Sequence, residues 1–250
     1  MTASIAMTTV GAAAVGYGAY TKQPKDLLIP LAYFTGMEAL QAMSYTVIDI
    51  CGIPLNQILT VLSFIHIAFQ PFFINMLMMY FIPQDVKKRI QGWVYGLCGI
   101  ATVSLLLQLY PFNWSECVPG SLLCSEQLCT VSGDWHLAWE IPLNGIFNYF
   151  ASKWFVLALP GYFLAGLVLP FVYGAWKPNL FHIVLGPLAA YFLLDNMSEA
   201  GAVWCLISIG LIILVLPGNT IGKYLHTQKW FFYEKPKGMR KKQKKIKAFI

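Results

Sequence analysis

The chain has 250 residues, of which 58% are hydrophobic and 11% charged, with a mean hydropathy of +0.61. Soluble domains carry about 25% charged residues, and a soluble fold of this length needs more polar surface than is available here. The net charge of +6 is gathered largely at the C-terminus. The apolar runs are continuous and do not alternate, which argues against a transmembrane barrel and predicts an all-α, polytopic membrane protein.

Seven spans are predicted, at about residues 4–20, 27–49, 55–82, 88–110, 154–176, 179–195 and 199–217. Residues 1–217 then form a seven-helix transmembrane domain with an outer Cys-containing loop at 111–153, and 218–250 form a basic cytoplasmic tail. Orientation follows from lysine and arginine. With the N-terminus outside, 16 of the 17 basic residues fall on the cytoplasmic side, Lys153 being the exception.

The first span is rich in Gly and Ala, "GAAAVGYGA", which fits a close helix-packing face. A cleaved signal peptide is the alternative. No basic residue precedes the segment, and removing it would leave six spans with the basic tail outside.

The second span places Glu38 near its midpoint, with Gln41, Tyr45 and Asp49 on the same helical face. A charged side chain at the bilayer centre costs at least about 2.5–3.5 kcal/mol. Glu38 is therefore expected to face the bundle interior, protonated or paired. The third span, "SFIHIAFQPFFIN" in its middle, sets Asn56, Ser63 and Gln70 seven apart, with His66 near mid-depth and Asn75 beyond. Pro71 removes a backbone donor there. The short connection makes spans two and three antiparallel neighbours, so Glu38, Gln41, His66 and Gln70 are expected to share one midplane site. Tyr45, Asn75, Gln108 and His182 are candidates to extend it into a polar path. Each of these amides has an alternative role as a helix-to-helix hydrogen bond, and His136 and His182 lie near interfaces where a histidine can simply be solvated.

The loop "ECVPGSLLCSEQLC" holds Cys117, Cys124 and Cys129. On the outer side, in an oxidising compartment, one disulfide among these three is expected, with one thiol left over; which membrane the chain spans is open. Cys51, Cys98 and Cys205 read as small buried hydrophobes. Three Cys with His136 fit no zinc spacing, and His66, His136 and His182 lie at different depths, so no metal site is predicted. Asn113 is a glycosylation candidate, whereas Asn196 sits too near the membrane. Residues 135–153, with His136, Glu140, Pro142 and Lys153, read as interfacial or re-entrant.

Eight basic residues between Lys235 and Lys247 predict attraction to anionic lipid headgroups, with plain solvation of the tail as the alternative. No nucleic-acid partner is expected. The cofactor is unknown.

The blocks "GMEALQAMSY", "IHIAFQPFFIN", "WHLAWEIPL", "FHIVLGPLAAYF" and "EAGAVWCLISIG" resemble a multi-spanning family described only as a domain of unknown function. The resemblance runs over about 30–215 and implies no activity. It marks Glu38, Gln41, His66, Gln70, Pro71, His136, His182, Glu199 and Trp204 as members of recurring blocks. Motifs of retinal proteins, G-protein-coupled receptors and phosphate-binding loops are absent. Three classes remain: transport or binding of a proton, ion or small solute at Glu38 and His66; an intramembrane enzyme acting on a lipid or other hydrophobic substrate; or a structural or assembly subunit of a membrane complex.

Overall fold

The computed structural model describes residues 1–109, 111, 123–146, 160–214, 216 and 220–233. Four helices open the chain: α1 (Thr2–Tyr20), α2 (Lys25–Ser44), α3 (Pro54–Tyr80) and α4 (Gln84–Leu106). Proline sets three of their starts. Pro24 and Pro83 immediately precede α2 and α4, and Pro54 is the first residue of α3, where its missing N–H costs no helical bond. Asp26 and Asp85 lie in first turns, where a negative charge suits the helix dipole. The connections α1–α2 and α3–α4 are short, so these helices pack as antiparallel neighbours.

A two-stranded antiparallel hairpin follows, β1 (Cys129–Ser132) paired with β2 (Leu137–Glu140). Sequence periodicity does not announce it, because Leu137, Ala138 and Trp139 are all fully buried and the strand shows no polar face. The interfacial or re-entrant segment expected from residue 135 thus begins as this second strand; 147–159, with Lys153, lies outside the described residues.

Helix α5 spans 160–172 and helix α6 spans 176–193, each carrying a wide π-turn, at Leu164–Val168 and Val184–Leu188. In α6 the turn contains Pro187, whose missing donor loosens the ladder. In α5 two carbonyls of the π-turn accept side-chain donors, Ala165 from Asn75 at 2.8 Å and Leu167 from Asn179 at 2.6 Å. A short 3₁₀ turn, Met197–Glu199, leads into α7 (Ala200–Leu214), and α8 (Thr220–Leu225) closes the described chain with a 3₁₀ turn at Phe231–Tyr233.

The described fold is thus mostly helical. Two stretches, Pro54–Tyr80 and Gln84–Leu109, are long and apolar enough to cross a membrane by length and composition. The small-residue face of α1 packs as expected: a Cβ on Gly11 would lie 2.3 Å from Thr35 Oγ1, and one on Gly18 would lie 2.4 Å from Leu28 Cδ2.

The helix ends sort into two groups. At the hairpin end, Asn56 Nδ2 donates to the Thr130 carbonyl at 2.9 Å while its Oδ1 accepts the Thr130 N–H at 2.8 Å. Asp49 accepts from the Ser132 N–H and hydroxyl. A disulfide joins Cys51 to Cys129. At the opposite end Lys87 pairs with Asp26, and the C-terminal strap returns across the bundle. There Thr227 N–H donates to the Phe81 carbonyl, Lys177 to the His226 carbonyl and Trp230 Nε1 to the Val172 carbonyl.

The cysteine expectation needs correction. Cys51, read as a packed hydrophobe, is the partner of Cys129, because the α2–α3 turn brings it beside β1. Cys124 is also disulfide-bonded. Cys117 and the glycosylation candidate Asn113 lie outside the described residues, as does the basic run 235–247. Cys98 and Cys205 are free and buried, as expected.

Candidate functional site

Glu38, Gln41 and His136 form the buried polar centre of the hairpin end. Their residues are 0%, 0% and 6% exposed. Glu38 and Gln41 stand on one face of α2, one turn apart. His136 is delivered from the hairpin turn, and α1 adds Ser4 from the fourth side.

The hydrogen bonds impose a direction. Gln41 turns its carbonyl oxygen to the imidazole, so His136 Nε2 carries the proton and donates to Gln41 Oε1 at 2.7 Å. Ser4 Oγ lies 3.3 Å from the same nitrogen. His136 Nδ1 is then the bare nitrogen and accepts from the Tyr45 hydroxyl at 2.5 Å. Gln41 Nε2 in turn donates to Glu38 Oε1 over a longer 3.4 Å. The chain therefore runs from Tyr45, half-buried at the hairpin end, through His136 and Gln41 to the Glu38 carboxyl. There it stops among the described residues: Glu38 Oε2 is buried and makes no further hydrogen bond of good geometry, with the Ser4 hydroxyl beside the carboxyl.

Burial, aided by the nearby N-terminal amine, pushes the His136 pKa down from 6.5 to about 4. The ring is thus neutral at ordinary pH, which agrees with its bonding as one donor and one acceptor.

The hairpin turn is fixed by Glu199, itself fully buried. Its Oε1 accepts the Asp134 N–H at 2.9 Å, and its Oε2 accepts the N–H groups of Trp135 at 3.0 Å and His136 at 2.9 Å. Three backbone donors on one carboxylate hold the turn as a nest holds an anion. Gly133 makes room for this: a Cβ there would sit 2.5 Å from Glu199 Oε2.

The other expected site residues are distributed differently. His66 does not join Glu38. It is half-buried in an open groove with Tyr33, Gly36, Leu40, Met43 and Phe69, on the face of α2 opposite Glu38. Its ring stacks on Tyr33 at 3.8 Å between centroids, and the Tyr33 hydroxyl donates to the His66 backbone carbonyl. The heptad through Asn56, Ser63 and Gln70 does face inward, and His66, three residues after Ser63 and four before Gln70, stands at the edge of that face and turns toward Tyr33.

Gln70 belongs to a second cluster. It accepts from the Tyr162 hydroxyl at 2.6 Å and donates to Cys205 Sγ at 3.2 Å. Asn75 ties α3 to α4 and α5, donating to the Pro71 and Ala165 carbonyls and to Cys98 Sγ and accepting from the Tyr173 hydroxyl. Thr102 donates to the Ala68 carbonyl near the Pro71 break. His182 accepts from Trp204 Nε1 at 3.2 Å. Gln108 is buried at the hairpin end, with its backbone carbonyl taking the Asn144 N–H. Asn196 caps the 3₁₀ turn by accepting the Ser198 N–H. Among the described residues, no three His, Cys, Asp or Glu side chains gather as a bound metal would require.

Ser4 escaped the sequence reading entirely, and His136 was expected near an interface where it could be solvated. Only the wording of the blocks around "WHLAWEIPL" and "EAGAVWCLISIG" pointed to His136 and Glu199.

A family of unknown function (DUF5765) matches residues 2–225, nearly the whole described chain. The chain belongs to this family. The match takes in both sides of the site, from Ser4 to Glu199, and extends beyond the 30–215 over which the blocks suggested a resemblance. No curated protein and no solved structure matches the chain, so the family supplies no activity and the chemistry must be argued from the residues.

Proposed function

We propose that this DUF5765 protein is a seven-span membrane protein, N-terminus outside and tail inside, whose Glu38 binds a proton or small cation during its passage across the bilayer. The observation that carries this is the directed chain Tyr45–His136–Gln41–Glu38, which ends on a buried carboxyl whose Oε2 makes no well-formed hydrogen bond among the described residues. A fully buried carboxyl left with an unused oxygen is costly unless a proton, cation or water meets it.

The membrane reading has independent support. Polar groups are buried while large apolar side chains face outward, among them Ile100 at 68%, Leu164 at 61% and Phe192 at 76% exposed. That arrangement suits a lipid solvent and no aqueous one. The charge rule puts the hairpin outside, where a disulfide is stable. The basic run 235–247 then faces the cytoplasmic leaflet, whose anionic lipids are the proposed partners.

Gln70, Asn75, Asn56 and Thr102 fit the structural role instead, since each spends its hydrogen bonds tying one element to another. Glu38 differs from them by its unused oxygen. The test is reconstitution in liposomes with an internal pH dye and an imposed gradient. Wild-type protein should carry flux that Glu38→Gln abolishes while yield and unfolding temperature hold. Equal flux from both would overturn the proposal, and lost yield without any flux would favour a structural subunit.

A further inference from the structure

A cavity lies on the other side of Glu38, toward the end opposite the hairpin. Phe34, Ile74, Met78, Phe181 and Leu225 form most of its wall, and its polar members are His182 and Ser208. Both are at least nine-tenths buried, and each has one polar atom without a partner among the described residues, His182 Nδ1 and Ser208 Oγ. Two such orphans in one otherwise apolar chamber are costly to leave without a hydrogen-bonding partner.

Their chemistry can be read from the neighbouring bond. Trp204 Nε1 has only a proton to offer, so His182 Nε2 must accept it. The neutral imidazole then keeps its own proton on Nδ1, which is a donor. The Ser208 hydroxyl can both donate and accept. A donor and a hydroxyl on one chamber wall are matched by a ligand oxygen that accepts from one and exchanges with the other. Space decides which oxygen. About 30 Å³ is open to the centre of a water-sized molecule, which is enough for one or two waters and too little for an amphiphile.

Position gives these waters a role. Phe34 lies four residues before Glu38 on α2, about 6 Å along the axis, and α2 packs directly against α7, which carries Ser208. We infer that the chamber binds water between His182 Nδ1–H and Ser208 Oγ, and that this water is the inward half of the path served by Glu38. The inference rests on the proposed role of Glu38 for its second clause only. Leu225, on α8, forms part of the wall at this end, and the strap is pinned close by through Thr227 N–H on the Phe81 carbonyl at 2.9 Å. Leu225 and the strap thus border the chamber at the end opposite the hairpin.

Two measurements test it. The first is an experimental map fine enough to show ordered water. Density within hydrogen-bond reach of both His182 Nδ1 and Ser208 Oγ is expected in the wild type, and its absence overturns the water site whatever the flux. Density there should vanish in Ser208→Val, which fills the space and removes the hydroxyl. The second is proton flux in liposomes. Ser208→Val should fall to the level of Glu38→Gln, and Ser208→Thr, which keeps the hydroxyl, should retain flux and serve as the folding control. If Ser208→Val keeps wild-type flux while Glu38→Gln loses it, the inward path is wrong and the Glu38 reading stands. If Glu38→Gln keeps flux, the Glu38 reading falls, and the path through the chamber falls with it.

Discussion

Glu199 Oε2 accepts the backbone N–H of His136 at 2.9 Å, so a residue at the start of α7 fixes where the imidazole of the hairpin stands. Sixty-three positions separate them. The side chain that reaches Gln41 is therefore aimed by the far half of the chain, and its own strand does not hold it alone.

Replacing Glu199 by Gln should loosen that turn. One of its oxygens becomes an amide donor and can no longer accept, so at least one hydrogen bond to a charged acceptor is lost, worth about 1.5–3 kcal/mol. A thiol-reactive dye can follow unfolding in detergent, because Cys98 and Cys205 are free and buried. Glu199→Gln should expose them at a lower temperature than wild type. An unchanged melting curve would mean that the nest is dispensable.

Acid should act through His136. Its pKa is lowered from 6.5 to about 4, first by burial. Between those values the unfolded chain binds a proton that the folded one refuses. Stability is therefore full above about pH 6.5 and falls as pH drops toward 4, by a total on the order of 3 kcal/mol. His136→Asn removes one of the titrating groups and should make that part of the melting-temperature profile shallower. A profile as steep as that of wild type would assign the acid sensitivity elsewhere.

The Cys51–Cys129 bond closes a loop of 78 residues in sequence separation. Chain-entropy reasoning gives such a cross-link about 4 kcal/mol of stabilisation. Mass spectrometry of unreduced, alkylated protein should return a peptide linking Cys51 to Cys129 and alkylation of Cys98 and Cys205 only after unfolding. A free Cys51 thiol in native protein would refute the pairing. The double variant Cys51→Ser/Cys129→Ser should melt earlier than wild type, with Asn56 still holding Thr130.

Gly186 permits the contact between α6 and α7. A Cβ there would lie 2.8 Å from Trp204 Nε1, the atom that donates to His182. Gly186→Ala should displace the indole, break that bond and lower stability by roughly 1–3 kcal/mol, the range for overpacking. Trp fluorescence and the dye-monitored melt would report it. If both are unchanged, Trp204 has room to move that the fold does not reveal.

Asn75→Leu separates tying from function. It removes two main-chain contacts and one to Tyr173, and should cost stability through the α5 π-turn. Liposome flux per folded molecule should be unaffected. A selective loss of flux would bring Asn75 into the path.

Some of this was present in the sequence. Continuous apolar runs punctuated by Pro24, Pro54 and Pro83 carry the helix order, because helix length and proline geometry are local properties. Glu38 and Gln41 were legible as one face because three residues make nearly one turn. Their inward direction followed from the cost of a charge in hydrocarbon. What the tertiary structure decided is long-range. His66 and Glu38 sit on consecutive antiparallel helices at similar depth, and depth was readable, but rotation about the helix axis was not. That rotation is set by what Tyr33 stacks on and by which face of α3 meets α5 and α7. His136 could be placed near the hairpin end from charge bias. Its insertion beside Gln41 needed Glu199, Asn56 and the Cys51–Cys129 bond together, contacts that no local pattern encodes. The sequence by itself determined which residues are too polar to leave facing an apolar surrounding, and only the packing decided which of them meet.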